Sequence, residues 1–271
     1  MDLDFLLPWS APLEAGRLIR RYHRFLADVA LDDGRNVTAH CVNSGTMEGL
    51  VRPGARVWVC PAADPSRKLP YTWCAMELDG VRIGVDTVLP NRLVKAMLEA
   101  HAIPRMGPYE NVRPEYPHVA GSRVDFRLTA PGLVHDVEVK NCHLVYPDRR
   151  GYFPDSVSVR ATKHLQALVK EKRRGVEATV IFVVQRGDAK CVRPSDAHDP
   201  AFGVAARKAA AAGVNFRALR ATPTDEGVRV LGTIPVDLGE YNPDRHLRWR
   251  AELRPHSGWE RPKRSDPPPP A

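Results

Sequence analysis

The 271-residue sequence has no uninterrupted apolar stretch that approaches the roughly 18–20 residues a membrane-spanning helix requires. Its N-terminus, MDLDFLLPWSAPLEAGR, has an acid at position 2, no basic start, and an apolar run broken by Pro8, so it does not read as a signal peptide. The five cysteines (Cys41, Cys60, Cys74, Cys142, Cys191) are odd in number, widely spaced and without a C-x-x-C pair, against a disulfide framework or structural zinc. Internal repeats are also absent. The expectation is a soluble, cytoplasmic protein of a reducing compartment, with no membrane partner.

What the sequence does contain is 43% hydrophobic and 27% charged residues, an ordinary globular balance. The chain is long enough to bury a core without staples. Forty Lys+Arg against 32 Asp+Glu give +8, which points to an anionic partner such as nucleic acid or to a surplus of surface arginine.

Short β-rich runs separated by turn signals fill the first ninety residues: 24–31, 37–43, 54–60, 72–78 and 81–85. Five strands with short connections predict a small barrel or sandwich, an OB-like barrel being one option. Pro90 and Asn91 open a helix, NRLVKAMLEAHA. Runs 122–130 and 133–145, joined by Pro131-Gly132, read as a hairpin. A helix over 158–174, a buried strand over 176–185, an alanine-rich helix over 201–213 and a strand NFRALRA complete an α/β layout. The expected organisation is a barrel over 1–88, an α/β domain over 89–242, and a flexible Arg/Pro-rich tail over 243–271.

On the hairpin, Glu138 and Lys140 stand two apart and share one strand face, with Val137 and Val139 on the other. The neighbouring strand can bring Asp125 alongside Glu138. Two carboxylates suit a hard divalent cation, Mg²⁺ or Mn²⁺, which polarises a phosphodiester, and Lys140 can neutralise developing charge. This is the D…E-x-K pattern of metal-dependent nucleases; on spacing alone, a cross-strand Glu–Lys pair on a solvated face fits as well. The following helix carries Arg160, Lys163 and His164 on one face, a candidate phosphate contact or an ordinary solvated surface. Asp155, in the preceding FPD, and Glu115 upstream offer further acids.

The runs RYHRFLADV (21–29), AHCVNSGTMEGLVRPGARVWV (39–59), PNRLV (90–94), GSRVDF (121–126), VEVKN (137–141), FPDSVSVRATKHL (153–165) and VIFVVQR (180–186) resemble the sugar fermentation stimulation protein A family, in order and spacing, from about residue 17 to 220. The resemblance implies an N-terminal OB-like barrel followed by a PD-(D/E)XK restriction-endonuclease-like α/β domain. It also implies DNA binding and an association with sugar utilisation genes in bacteria. Its motif acids fall on Asp125 and Glu138 with Lys140 as the lysine; Glu115, offered as a further metal ligand, matches the acid before S-R-x-D-F. Arg123, Asp155, Arg160, Lys163, His164 and Gln185 match other polar positions. Val42, Thr46 and Ala161 depart from the pattern, none of them in the D…E-x-K set.

In the barrel, Arg24, His40, Asn43, Trp58 and Trp73 are candidate backbone and stacking contacts, because OB folds bind single strands with basic grooves and exposed aromatics. Tryptophans in a small barrel also serve as core. The leading function is DNA binding with metal-dependent phosphodiester cleavage. The alternatives are a non-catalytic DNA-binding regulator of sugar utilisation genes, and an RNA-binding or processing protein.

Overall fold

The computed structural model describes residues 3–64, 66–118 and 123–261. The first strand, β1 (Phe5–Pro8), is followed by β2 (Glu14–Tyr22), β3 (Leu26–Leu31), β4 (Asn36–His40), β5 (Arg56–Pro61), β6 (Tyr71–Leu78) and β7 (Val81–Gly84). From β2 onward they form one sheet in the order β4-β3-β2-β5-β6-β7, and a further pairing of β4 with β6 closes five of them into a barrel. Leu18, Val29, Trp73 and Met76 fill its interior. Asp79 and Gly80, both with positive φ, make the two-residue hairpin turn before β7.

The barrel has five strands in its ring, but not the five read from the sequence. Strand β2 was not foreseen and takes the place given to β7, which is an added hairpin arm. Arg17, Arg20 and Arg21 obscure the alternation of EAGRLIRRY, and a bulge after Leu18 shifts its phase. That shift turns Arg21 inward, where it is 1% exposed.

The second unit contains α1 (Leu89–Glu99), β8 (Asn111–Pro117), β9 (Arg123–Ala130), β10 (Leu133–Cys142), β11 (Arg150–Phe153), α2 (Val159–Lys172), β12 (Glu177–Val184), β13 (Cys191–Pro194), α3 (Pro200–Ala211), β14 (Asn215–Pro223) and β15 (Gly227–Ile234). Seven strands pair in the order β1-β15-β14-β12-β10-β9-β8, with β10, β12 and β14 parallel. Residue 122, expected in the β9 strand, lies outside the described residues.

Helix α1 covers one face of the sheet through Leu93, Val94 and Met97, against Val137, Val139, Ile181 and Val183. Helices α2 and α3 cover the other, with Leu165, Leu168, Phe202 and Ala206 against Val180 and Phe182. Both faces of β12 are therefore dry, as its unbroken apolar run requires.

Two boundaries need correction. Residues Phe5–Pro8, read with the barrel, pair antiparallel with β15 and edge the large sheet. Residues 243–256, read as flexible, form a 3₁₀ turn, a short helix α4 (Leu247–Leu253) and a second 3₁₀ turn. They are anchored by His246, Trp249 and Leu253 against Tyr146, Tyr152 and Tyr241. Residues 262–271 lie outside the described residues. Among the described residues no helix is long and apolar enough to cross a membrane, which leaves spans made of strands untested.

A direct seam joins the two units. The Gly84 N–H donates to the Gln185 carbonyl at 2.9 Å, linking β7 to the residue after β12. A Cβ at Gly84 would stand 2.3 Å from Gln185 Oε1, so only glycine admits that contact.

Candidate active site

The hairpin ladder between β9 and β10 runs in register to Phe126↔Val137. Beyond it the Val139 N–H donates to Asp125 Oδ2 at 2.7 Å, so a side chain takes the place of a backbone acceptor. Asn91, near the start of α1, donates to the other carboxylate oxygen at 2.9 Å. Asp125 is thereby fixed at the seam between two strands.

Glu138, 2% exposed, shares its strand face with Lys140, as period-two alternation requires. Its Oε1 accepts from Lys140 Nζ at 2.5 Å and from His164 Nδ1 on α2. Burial raises the pKa of Asp125, and the nearby charge of Glu138 raises it further. Burial also pushes Glu138 up, but Lys140 and His164 outweigh it and hold that carboxyl below its ordinary value. Two neighbouring carboxylates thus titrate apart, the arrangement expected where a cation or a proton is to be held.

Asp136, also on β10, shows what a structural acid looks like in this sheet. Arg127 grips both its oxygens at 2.6 and 2.8 Å, and His118 adds a third contact at 2.7 Å. Glu138 has an ammonium and an imidazole on one oxygen instead.

A second ring of polar groups backs the site. Gln185 donates to Asn141 Oδ1 at 2.7 Å and to the Asp86 carbonyl at 2.9 Å. Asn141 Nδ2 donates to His143 Nδ1 at 3.2 Å, and His143 Nε2 lies 3.4 Å from Asp155 Oδ2. Asp155 is pushed up by burial and pulled further down by His143. Gln185 therefore ties down Asn141, next to Lys140, while Asp155 faces His143.

Glu115 does not join them either. It is 61% exposed with a left-handed φ of 50°, and Arg123, itself exposed, lies 3.9 Å away. Among the described residues no group of three or more His, Cys, Asp or Glu is arranged to hold a metal ion. Asp125 and Glu138 are two carboxylates within electrostatic reach of each other, and one or two carboxylates are the kind of oxygen donor that hard divalent cations take.

On α2, Arg160 and Lys163 are exposed as expected. His164, grouped with them, turns inward to Glu138, while Arg160 Nε donates to its Nε2 at 3.3 Å. In the barrel Arg24 is exposed and donates to the Ser44 carbonyl at 2.9 Å. His40 is half-buried, and burial followed by the charge of Arg67 lowers its pKa. Asn43 is buried; its Oδ1 accepts the Gly45 N–H and shapes a turn, so it offers no surface contact. Trp73 is core, and Trp58 lies under the Arg82 guanidinium at 4.0 Å, so neither presents a free stacking face. Sequence reasoning gave no role to Asn91 or Asn141, although both stand in the runs PNRLV and VEVKN that carry the family resemblance.

Two family models match the chain: the "SfsA N-terminal OB domain" over residues 19–85 and the "Sugar fermentation stimulation protein RE domain" over residues 88–227. The chain belongs to the sugar fermentation stimulation protein family. It is 47% identical over 229 residues to the sugar fermentation stimulation protein homolog of Geobacter sulfurreducens, covering 84% of this chain and 98% of that one. The homolog from Pelobacter propionicus is 45% identical over 227 residues, with the same shares. The solved structure of Pyrococcus furiosus SfsA in complex with Ca²⁺ covers 88% of this chain and 99% of its own, at 25% identity and a TM-score of 0.78. Within this family fold, an OB barrel precedes a mixed α/β domain, and segment 243–261 lies beyond both family models.

Proposed function

We propose that this family member binds DNA and cleaves its phosphodiester bonds with a divalent cation, Mg²⁺ or Mn²⁺. The observation that carries this reading is half-buried Asp125 within electrostatic reach of buried Glu138, beside the Lys140 ammonium. Placing two like charges together away from water is costly; Lys140 and His164 offset it at Glu138, whereas Asp125 accepts only from the neutral Asn91 amide and the Val139 N–H. Asp125 and Glu138 would hold a divalent cation, which would relieve that repulsion and supply Lewis-acid stabilisation of charge on phosphoryl oxygens. The Pyrococcus furiosus relative was solved with Ca²⁺, a cation with the same preference for oxygen ligands.

This chain's own residues supply the rest. Asn91 and the Val139 N–H fix both oxygens of Asp125, so its remaining lone pairs point in set directions. His164 and Lys140 hold Glu138 ionised, and the Lys140 ammonium stands ready to neutralise charge on the scissile phosphate. Exposed Arg160 and Lys163, one turn away on α2, contact flanking phosphates. The net charge of +8 favours the polyanion at long range.

The test incubates purified protein with labelled single- and double-stranded DNA and RNA, with Mg²⁺, Mn²⁺ or chelator. Cleavage of DNA that needs the cation and falls to background in Asp125→Asn and Glu138→Gln is expected, with much of the DNA affinity retained. Cleavage surviving in both variants, or a folded wild type that binds DNA but cuts nothing, overturns the nuclease reading.

A further inference from the structure

The segment after residue 242 crosses from the α/β unit to the barrel and is bonded to both. On the α/β side, Trp249 and Leu253 pack against the Tyr146–Tyr152 cluster. On the barrel side the Val51 N–H donates to the His256 carbonyl at 2.9 Å, and the Gly258 N–H to the Thr46 carbonyl at 2.6 Å. Buried Arg21 donates to the Gly258 carbonyl at 2.9 Å, and the Glu260 N–H reaches the Arg21 carbonyl at 2.8 Å. The strap is seated by backbone bonds on both rims of its last turn.

That seat places Trp259, 43% exposed, beside the barrel turn between β2 and β3. The Arg24 guanidinium lies 5.6 Å from the Trp259 ring and 5.5 Å from the ring of Phe25, which is 38% exposed. The Phe25 ring is 6.5 Å from His40. The result is a surface row of indole, guanidinium, phenyl and imidazole. His23 and Arg24 both hold left-handed φ values of 46° and 67°, a cost borne by non-glycine residues only when the surroundings impose it. The tight hairpin turn between β2 and β3 calls for those values, and Arg21 ties the turn down by donating to the Arg24 carbonyl at 2.9 Å.

We infer that Trp259, carried by the strap, completes with Arg24 and Phe25 a base-stacking platform for single-stranded DNA at the barrel rim. Arg21 and Arg24 lie 5.5 and 5.6 Å from the Trp259 ring, looser than the 4.0 Å of Arg82 over Trp58. Trp259 and Phe25 keep 43% and 38% of their surface in solvent, where unpaired bases can stack while arginine contributes charge. A duplex hides its base faces and gains nothing from the platform. The neighbouring turn leads toward the site: Arg24 donates to the Ser44 carbonyl, and Thr46 Oγ1 two residues on donates to the Asp155 carbonyl at 3.4 Å. The inference deepens the DNA-binding reading above and rests on it.

Fluorescence anisotropy of full-length protein with labelled oligothymidylate, a duplex of equal length and oligouridylate, all without divalent cation, tests it. Trp259→Ala should weaken single-stranded DNA binding roughly 5–100-fold and leave the duplex unchanged. Trp259→Phe should restore most of the affinity, and Phe25→Ala, which leaves the strap seated, should lose a similar factor. Wild-type binding of single-stranded DNA with both alanine variants unchanged overturns the platform and leaves the DNA reading standing. No binding of any probe by wild type removes the DNA reading and the platform with it. A loss confined to oligouridylate makes RNA the occupant and overturns the assignment to DNA.

Discussion

Arg21 in the barrel and Glu138 in the sheet are hidden to the same degree, 1% and 2% exposed, and their surroundings could hardly differ more. The two terminal nitrogens of the Arg21 guanidinium donate to the backbone carbonyls of Arg24, Asn43, Gly45 and Gly258, while its buried Nε has no partner among the described residues. Burial pulls its pKa down, and fixed peptide dipoles do the solvating. Glu138 instead meets side chains that can gain or lose protons, Lys140 and His164, with a second carboxylate in electrostatic reach. A charge held by backbone carbonyls fixes a loop in place. A charge balanced by titratable side chains is available for chemistry.

Changes at the two charges should therefore separate activity from stability. Lys140→Ala should lower the cleavage rate on the order of 10²–10³-fold in single-turnover assays, with a far smaller change in DNA affinity. A loss confined to affinity would dissolve the contrast. Arg21→Met should do the reverse. It strands four carbonyls and costs about 3 kcal/mol, read from the denaturant midpoint, while the folded protein keeps its single-turnover rate at saturating DNA.

A third buried ionisable group sharpens the comparison. His246 has no hydrogen-bond partner on either ring nitrogen and sits among Tyr146, Tyr152, Tyr241 and Trp249. Burial brings its pKa from 6.5 down to about 4. With the folded value depressed, its packing is fully available above about pH 6.5 and is lost as pH falls toward 4, at up to about 1.4 kcal/mol per pH unit. Amide exchange over residues 243–260 should accelerate in that window, and His246→Phe should flatten the profile. The smallest effect belongs to exposed charge. Replacing Arg160 and Lys163 by alanine should reduce the log–log salt slope of DNA binding by roughly one unit per lost phosphate contact. An unchanged slope would make that helix face a solvated surface.

Period-two alternation made the Glu138–Lys140 pair readable, and β-branched density made β12 readable. Asp125 was readable as a neighbour of Glu138. That its carboxylate replaces a ladder acceptor was not, because the gap in the ladder belongs to the pairing of two strands. His164 looked like surface on its own helix; its inward role depends on where α2 lies across β10. Strand β2 was hidden by three arginines and a bulge, and β1 by its length of four residues. The strap after 242 is held by a few aromatics and by backbone bonds, which leave no periodic trace in sequence.

The pairing of β1 with β15 sets a schedule for synthesis. Phe5 faces Val230, so β1 waits for its partner until Val230 has been made. The barrel needs only residues 14–84 and has its complete set of strands far earlier. Emerging N-terminus first, the chain can close that local ring while β1 hangs unpaired, and the long loop is closed last. The barrel is thus an insertion, finished first, inside a domain whose two ends meet only after it.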